Sequence, residues 1–267
     1  MNPNLKTAVT EFVGTFAMVL LTSAAVIADG IPALSNHSGF GKLGIALAAG
    51  TAYAAALAFT LRQSGGFLNP AVTVTLWVFQ RIESNRALYL LAAQFLGAAF
   101  AGLALRGLFL INENALLDTR MGVPHLNLKA FDVAQTDRSS LFLGIALETL
   151  LTFLLVFAIF ALFFDARFRR TAGGSVHRLN YLWLGLFMTA ITLAAGGWTG
   201  ASMNPARWFG TVIWESTVAG LESRHPWADH GPFWIGPILG SLLAGMLYTY
   251  VLLPADDRKG PPKAGMP

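Results

Sequence analysis

The sequence predicts an all-α membrane protein: six transmembrane helices plus two re-entrant half-helices, arranged as an inverted repeat. Three observations carry this reading. Of 267 residues, 55% are hydrophobic and only 12% charged. Several apolar stretches approach or exceed the roughly 20 residues a helix needs to cross a bilayer. One short motif also occurs twice, as Gly65-Gly66-Phe67-Leu68-Asn69-Pro70-Ala71 and as Gly200-Ala201-Ser202-Met203-Asn204-Pro205-Ala206-Arg207. Each copy follows a long apolar segment and precedes an apolar run too short to span, Val72 to Phe79 or Trp208 to Trp214. At average composition, two Asn-Pro-Ala tripeptides placed alike in two halves arise by chance about once in a thousand chains.

The elements follow in order. Segment one runs from about Thr7 to Ala28 and stops at Asp29-Gly30-Ile31-Pro32. Segment two, rich in Ala and Gly, runs from about Leu43 to Leu61 and is broken by Arg62-Gln63-Ser64-Gly65-Gly66. Pro suits the first position of a helix, where its missing N–H would be unpaired anyway, and Asn before it is a good N-cap. Each Asn-Pro-Ala therefore reads as the start of a half-helix entered from a glycine-containing loop. Segment three runs from about Ala87 to Ile111, and a polar loop follows over 112–138. Segment four covers about Leu141 to Phe164, ahead of a loop carrying Arg167, Arg169, Arg170 and Arg178. Segment five runs from about Leu179 to Ala195 and is ended by Gly196-Gly197; segment six runs from about Pro232 to Leu253. The Pro/Gly/Lys-rich tail, 254–267, is expected to be disordered. The whole is expected to be a single membrane unit over 1–267, with repeat one at about 7–111 and repeat two at about 139–253.

Short-loop Arg and Lys mark the cytoplasmic side. The Arg-rich loop after segment four, the group Arg62, Arg81 and Arg86, and the terminal Lys6, Arg258 and Lys259 all fall on one side if the chain crosses six times. Both termini are then cytoplasmic. The halves match: Glu11 precedes Asn69 by 58 residues, and Glu148 precedes Asn204 by 56. Three crossings per half is an odd number, so the halves are inverted, as in many transport proteins. Non-helical backbone at membrane depth is tolerated only where it is buried or lines a wet cavity. The two loops therefore predict an aqueous path.

Several classes are excluded. With no cysteine there is no disulfide or thiolate chemistry. The five His form no metal-like pair, and no nucleophile–base pair, phosphate loop or dinucleotide fingerprint appears, so neither enzyme activity, metal nor cofactor is expected. The net charge of +4 orients loops rather than binding nucleic acid. Residues 1–6 are short and polar and the first apolar segment keeps Glu11, which argues against a cleavable signal peptide and suits a bacterial inner membrane, with a eukaryotic plasma membrane as the alternative.

The paired Asn-Pro-Ala motifs, the Arg after the second, and the two spaced glutamates resemble the major intrinsic protein family, the aquaporins and glycerol facilitators. The likeness covers about residues 7 to 253. It implies an aquaporin-like fold, a homotetramer with one pore per subunit, and water and small neutral solutes as permeants in the lipid bilayer. It also implies a pore centre at Asn69, Pro70, Ala71, Asn204, Pro205 and Ala206. There the two Asn would offer amide N–H donors and the half-helix N-termini a positive potential. Gly65, Gly66 and Phe67, then Gly200, Ala201 and Ser202, would line the pore with carbonyls. By the same matching the constriction comprises Ala49, Thr192, Ala201 and Arg207. The aromatic and His of strict water channels are missing from it, as is the aromatic pair of glycerol facilitators. Small side chains there imply a wide, moderately polar opening, more like the plant-type channels that pass boric acid, whereas Trp208 in place of the Asp usual after the Arg in glycerol facilitators, and Phe233-Trp234 in segment six, resemble the aquaporin branch and imply water passage.

Glu11 and Glu148 support two readings. They could relay protons in a coupled carrier, or accept hydrogen bonds from the backbone N–H groups of the re-entrant loops. Occurring once per repeat favours the second, since buried N–H groups need partners. Seven residues on, Met18 and Leu155 are candidate pore-lining apolar residues. The leading reading is a passive channel for water and small uncharged solutes that excludes ions and protons. The alternatives are a facilitator mainly for glycerol, urea or metalloid hydroxides, a proton-coupled carrier, and a junction protein with a vestigial pore.

Overall fold

Apolar length separates the segments that cross from those that turn back. The computed structural model describes residues 3–31, 40–110, 112–165, 179–218, 220 and 225–253. The tail 254–267, with Arg258 and Lys259, and the cluster Arg167, Arg169, Arg170 and Arg178 lie outside these residues. Six helical spans are long and apolar enough to cross a bilayer. They are α1 (Pro3–Asp29), α2 (Gly41–Ser64), α4 (Ser84–Leu108), α6 (Arg138–Ile159), α7 (Asn180–Thr199) and α9 (His230–Leu247). Helices α6 and α9 each continue into a π-helical turn, Phe160–Phe164 and Tyr248–Leu252. Half-helix α3 (Pro70–Val78) has 9 residues and half-helix α8 (Pro205–Glu215) has 11. At 1.5 Å per residue they are about 14 and 17 Å long, half the ~30 Å hydrocarbon core. Short α5 (Glu113–Asp118) sits in the loop before α6. No strand occurs among the described residues.

Caps fix the ends of α2 and α7 and the start of α6. Gly65 and Gly200 terminate α2 and α7 in the left-handed region at φ 99° and 74°, and their N–H groups donate to Leu61 and Gly196. Helix α7 thus runs four residues past the expected stop at Ala195, through Gly196 and Gly197. A glycine pair weakens a helix, but here only Gly200 takes the left-handed turn that ends one. Asp137 caps α6 by accepting from the Ser140 N–H at 2.7 Å. Its bond from the Ser139 hydroxyl, with those from Ser140, holds its carboxyl down at about 2.

The two halves are interleaved. Helix α1 packs on α2 and α4, α6 packs on α7 and α9, and α2 packs on α7 across the middle. Each half-helix packs on the third helix of the other half, α8 on α4 and α3 on α9. Glycines set these crossings. A Cβ on Gly97 would strike the Phe12 carbonyl, and one on Gly240 the Thr149 carbonyl. Phe12 and Thr149 each follow one of the two repeated glutamates. At the centre, a Cβ on Gly50 would strike the Gly185 carbonyl, and one on Gly185 would lie 2.7 Å from the Gly50 carbonyl. The start of α1 meets the end of α2 through Thr10 and Gln63, and the ends of α6 and α9 meet through Tyr248 and Asp165. This face, carrying both described ends of the chain, is the terminal face. The opposite face carries the loop between α4 and α6.

Gly50→Leu should destabilise the protein by about 1–3 kcal/mol through overpacking of the α2–α7 crossing. Gly107→Leu, with nothing within 4 Å of its added Cβ, should leave stability near native. Thermal aggregation in detergent, followed by size-exclusion chromatography, separates the two.

Candidate functional site

The two motif loops share one backbone path. Gly65, Gly66 and Leu68 have φ of 99°, 65° and 53°; Gly200, Ala201 and Met203, each 135 residues on, have 74°, 44° and 51°. A non-glycine residue in this region costs roughly 1–2 kcal/mol, so something must hold the loops there. Two buried carboxylates do so. Glu11, fully buried, accepts from Phe67 N (2.9 Å), Leu68 N (2.7 Å), the Ser64 hydroxyl (2.6 Å) and Gln94 Nε2 (2.9 Å). Glu148, also fully buried, accepts from Ser202 N (3.0 Å), Met203 N (2.7 Å) and the Thr199 hydroxyl (2.5 Å). Ser64 and Thr199 in turn accept from Gly66 N and Ala201 N, both at 3.2 Å.

These bonds aim the opposite side of the loops. In a trans peptide the carbonyl points away from the N–H of the same unit. The N–H groups of Gly66, Phe67 and Leu68 face Glu11 and Ser64, so the carbonyls of Gly65, Gly66 and Phe67 point away from them. The same rule sends the carbonyls of Gly200, Ala201 and Ser202 away from Glu148 and Thr199.

Asn69 and Asn204 bring the two loops together. Asn69 Nδ2 donates to the Met203 carbonyl at 2.8 Å, and Asn204 Nδ2 to the Leu68 carbonyl at 2.9 Å. Their Oδ1 atoms cap the half-helices: Asn69 accepts from Ala71 N at 2.9 Å, and Asn204 from Ala206 N at 3.0 Å and Arg207 N at 3.3 Å. Capping and donation use different atoms of one side chain. Each amide spends one N–H on the opposite loop and retains another. Pro70, Ala71, Pro205 and Ala206 are buried in the first turns of α3 and α8.

Ala49 (α2), Thr192 (α7), Ala201 (motif loop) and Arg207 (α8) line one cavity of about 160 Å³ that also meets Gly200, Thr22, Lys42, Gly197, Gly122 and Pro124. Arg207 Nη1 donates to the carbonyls of Gly200 and Ala201, each at 3.2 Å. No carboxylate lies within ion-pair distance of Arg207 among the described residues. The Thr192 hydroxyl is buried without a partner among those residues, so the cavity wall is less polar than its sequence suggests. Met18 and Leu155 are buried in the apolar core.

Sequence reasoning missed several participants. Ser64 and Thr199 were detectable, since a hydroxyl stands five residues before each motif Asn. Gln94 gave no such signal, because it reaches Glu11 and Thr73 only through the packing of α4 on α1. Lys42 and the loop residues Gly122 and Pro124 reach the cavity from segments that carry no motif.

The family model described as "Major intrinsic protein" matches residues 1–248. Aquaporin TIP4-4 of Zea mays is 36% identical over 256 residues, covering 92% of this chain and 90% of that protein. Aquaporin-4 of Bos taurus is 37% identical over 199 residues, covering 73% of this chain and 52% of that protein. The X-ray structure of the aquaglyceroporin from Plasmodium falciparum superposes with a TM-score of 0.76 at 20% identity, covering 93% of this chain and 96% of that one; that likeness concerns the fold. These relatives come from a plant and from cattle, so they lend no support to a bacterial inner membrane.

Replacing Glu148 by Leu would leave the N–H groups of Ser202 and Met203 unpaired, at about 1–3 kcal/mol each. Glu148→Gln keeps one acceptor oxygen and should be destabilised less. Melting temperatures in detergent should therefore fall in the order native, Gln, Leu, and water permeability of reconstituted protein should follow the same order.

Proposed function

The chain belongs to the major intrinsic protein family and forms a multi-pass membrane channel for water and small solutes, and we propose that its outer cavity admits neutral solutes larger than water. The observation that carries this is the cavity where Ala49, Thr192, Ala201 and Arg207 converge. Three of its four defining side chains are small, and none is aromatic. In this reading Arg207 is the cation of the constriction. Its Nη1 is tied to two carbonyls, which holds the guanidinium against one wall, where it donates to a permeant oxygen and repels cations.

The pore centre lies at Asn69 and Asn204. Each half-helix carries roughly half a positive charge at its N-terminus, and each Asn keeps an amide N–H beyond the one given to the opposite loop. A water or alcohol oxygen accepts these donors, and the outward-turned carbonyls of Gly65, Gly66, Phe67, Gly200, Ala201 and Ser202 give its hydrogens acceptors along the path. A cation meets positive potential where it has shed its hydration shell, which costs several kcal/mol without a compensating partner. Aquaporin-type selectivity rests on the same half-helix dipoles and lining donors. The donors held by Glu11 and Glu148 favour a loop-holding role over a proton relay: a relay needs a carboxylate free to take up and release a proton. Lys6, Arg62, Arg81 and Arg86 lie toward the terminal face and Lys42, Arg106, Arg120, Lys129 and Arg138 toward the opposite one, so cytoplasmic termini rest on the arginine-rich stretch that follows segment four in the sequence. The family's usual assembly supports a homotetramer.

Ala49→Trp combined with Ala201→Phe should lower glycerol, urea and boric acid entry into proteoliposomes at least about tenfold, the scale of a 1.4 kcal/mol barrier change, and lower water flux less. Equal loss of water and solute flux, or unchanged solute flux, would remove these positions from the constriction.

A further inference from the structure

Three charged residues and a histidine that the pore mechanism does not use form a chain on the opposite face. Arg120 Nε donates to Glu215 Oε1 at 2.6 Å. His125 Nε2 lies 2.8 Å from Glu215 Oε2, and its Nδ1 lies 2.8 Å from Asp229 Oδ2. Asp229 Oδ2 also accepts from Leu126 N at 3.1 Å. The side chains of Glu215 and Asp229 are 0% exposed, and that of His125 is 10% exposed.

Such an arrangement needs a reason. Glu215 is the last residue of α8, where the helix dipole already presents negative charge and a carboxylate is disfavoured. A buried carboxylate without a partner is costlier still. Arg120 and His125 supply the partners, and both belong to the loop between α4 and α6. Each ring nitrogen of His125 faces a carboxylate oxygen, so the ring bridges the two acids. The loop is therefore fastened simultaneously to the end of α8 and to the turn before α9.

The fastened loop is also a cavity wall. Gly122, Val123 and Pro124 line the cavity beside Arg207. A Cβ on Gly200 would lie 2.9 Å from Pro124 Cα, so the loop rests on the residue whose carbonyl anchors Arg207. Beyond His125, Asn127 takes hold of the end of α7, donating from Nδ2 to the Gly197 carbonyl and from its backbone N–H to the Trp198 carbonyl, both at 2.8 Å.

We propose that the Arg120–Glu215–His125–Asp229 chain is a specificity-determining positioning device, which holds Gly122–Pro124 against Gly200 and thereby sets the width of the cavity mouth. The inference rests on the reading of that cavity as the site of solute selection. Releasing the loop widens the mouth, so larger solutes gain more than water does.

The test is stopped-flow light scattering on proteoliposomes, reading the ratio of glycerol to water permeability. His125→Ala should raise the ratio about fivefold, at the low end of coupling between two positions, with water flux near native. His125→Gln, which still donates to one carboxylate, should fall between, and Arg120→Gln should raise the ratio without touching the ring. These two milder variants carry the test if His125→Ala does not elute as folded protein. Ala201→Phe is measured alongside. A ratio that Ala201→Phe lowers but the His125 and Arg120 variants leave at the native value overturns the positioning device and leaves the cavity reading standing. A ratio unmoved by Ala201→Phe overturns the cavity reading and this inference with it.

Discussion

Two carboxylates buried at membrane depth hold the re-entrant loops, and most of the molecule is arranged to permit this. Loop backbone there has no water to satisfy it, and each unpaired N–H would cost about 1–3 kcal/mol. Glu11 and Glu148 take four of these N–H groups, two apiece. The same bonds stabilise left-handed residues that are not glycine, Leu68 and Met203. They also turn the opposite carbonyls outward. One interaction therefore satisfies the backbone, fixes an unfavourable conformation and creates the row of acceptors that a water-filled path requires.

The duplication shows what is essential, and its lapses show what is adjustable. Glutamate, hydroxyl, left-handed turn, Asn cap and Pro recur in both halves at near-constant separation. The surroundings differ. Gly66 corresponds to Ala201, Thr73 to Trp208, and Gln80 to Glu215. Gln94 adds a fourth donor to Glu11, whereas Glu148 has three among the described residues, Thr199, Ser202 and Met203. The second half instead carries Arg207, Thr192 and Ala201 of the cavity, and the acids Glu215 and Asp229, whose partners Arg120 and His125 come from the loop between the halves. The carboxylate of the first half is thus the more heavily buttressed.

Much of this was legible because it is written in local chemistry. Six apolar stretches of spanning length, two runs of half that length, and Asn-Pro at each short run specify the helices and the turning points. Paired spacing from glutamate to asparagine exposed the repeat. What escaped was long-range. Gln94 meets Glu11 across 83 residues, and His125 meets Asp229 across 104, contacts that no periodicity encodes. Thr192 reads as a polar wall residue, but its hydroxyl is buried. The Gly196-Gly197 pair resembles a break, but of the three glycines at this end of α7 only Gly200 adopts the left-handed φ that the turn needs.

The account stands or falls on whether a passage built this way conducts neutral solutes larger than water. The most direct measurement compares shrinkage of proteoliposomes in sucrose with their re-swelling in glycerol, urea and boric acid, each against protein-free vesicles. Water flux well above the empty vesicles, with solute re-swelling also accelerated, is the predicted result. Fast water flux with solute entry at the empty-vesicle rate would contradict it, and would mean that the cavity around Ala49 and Ala201 is narrower to a permeant than its side chains imply.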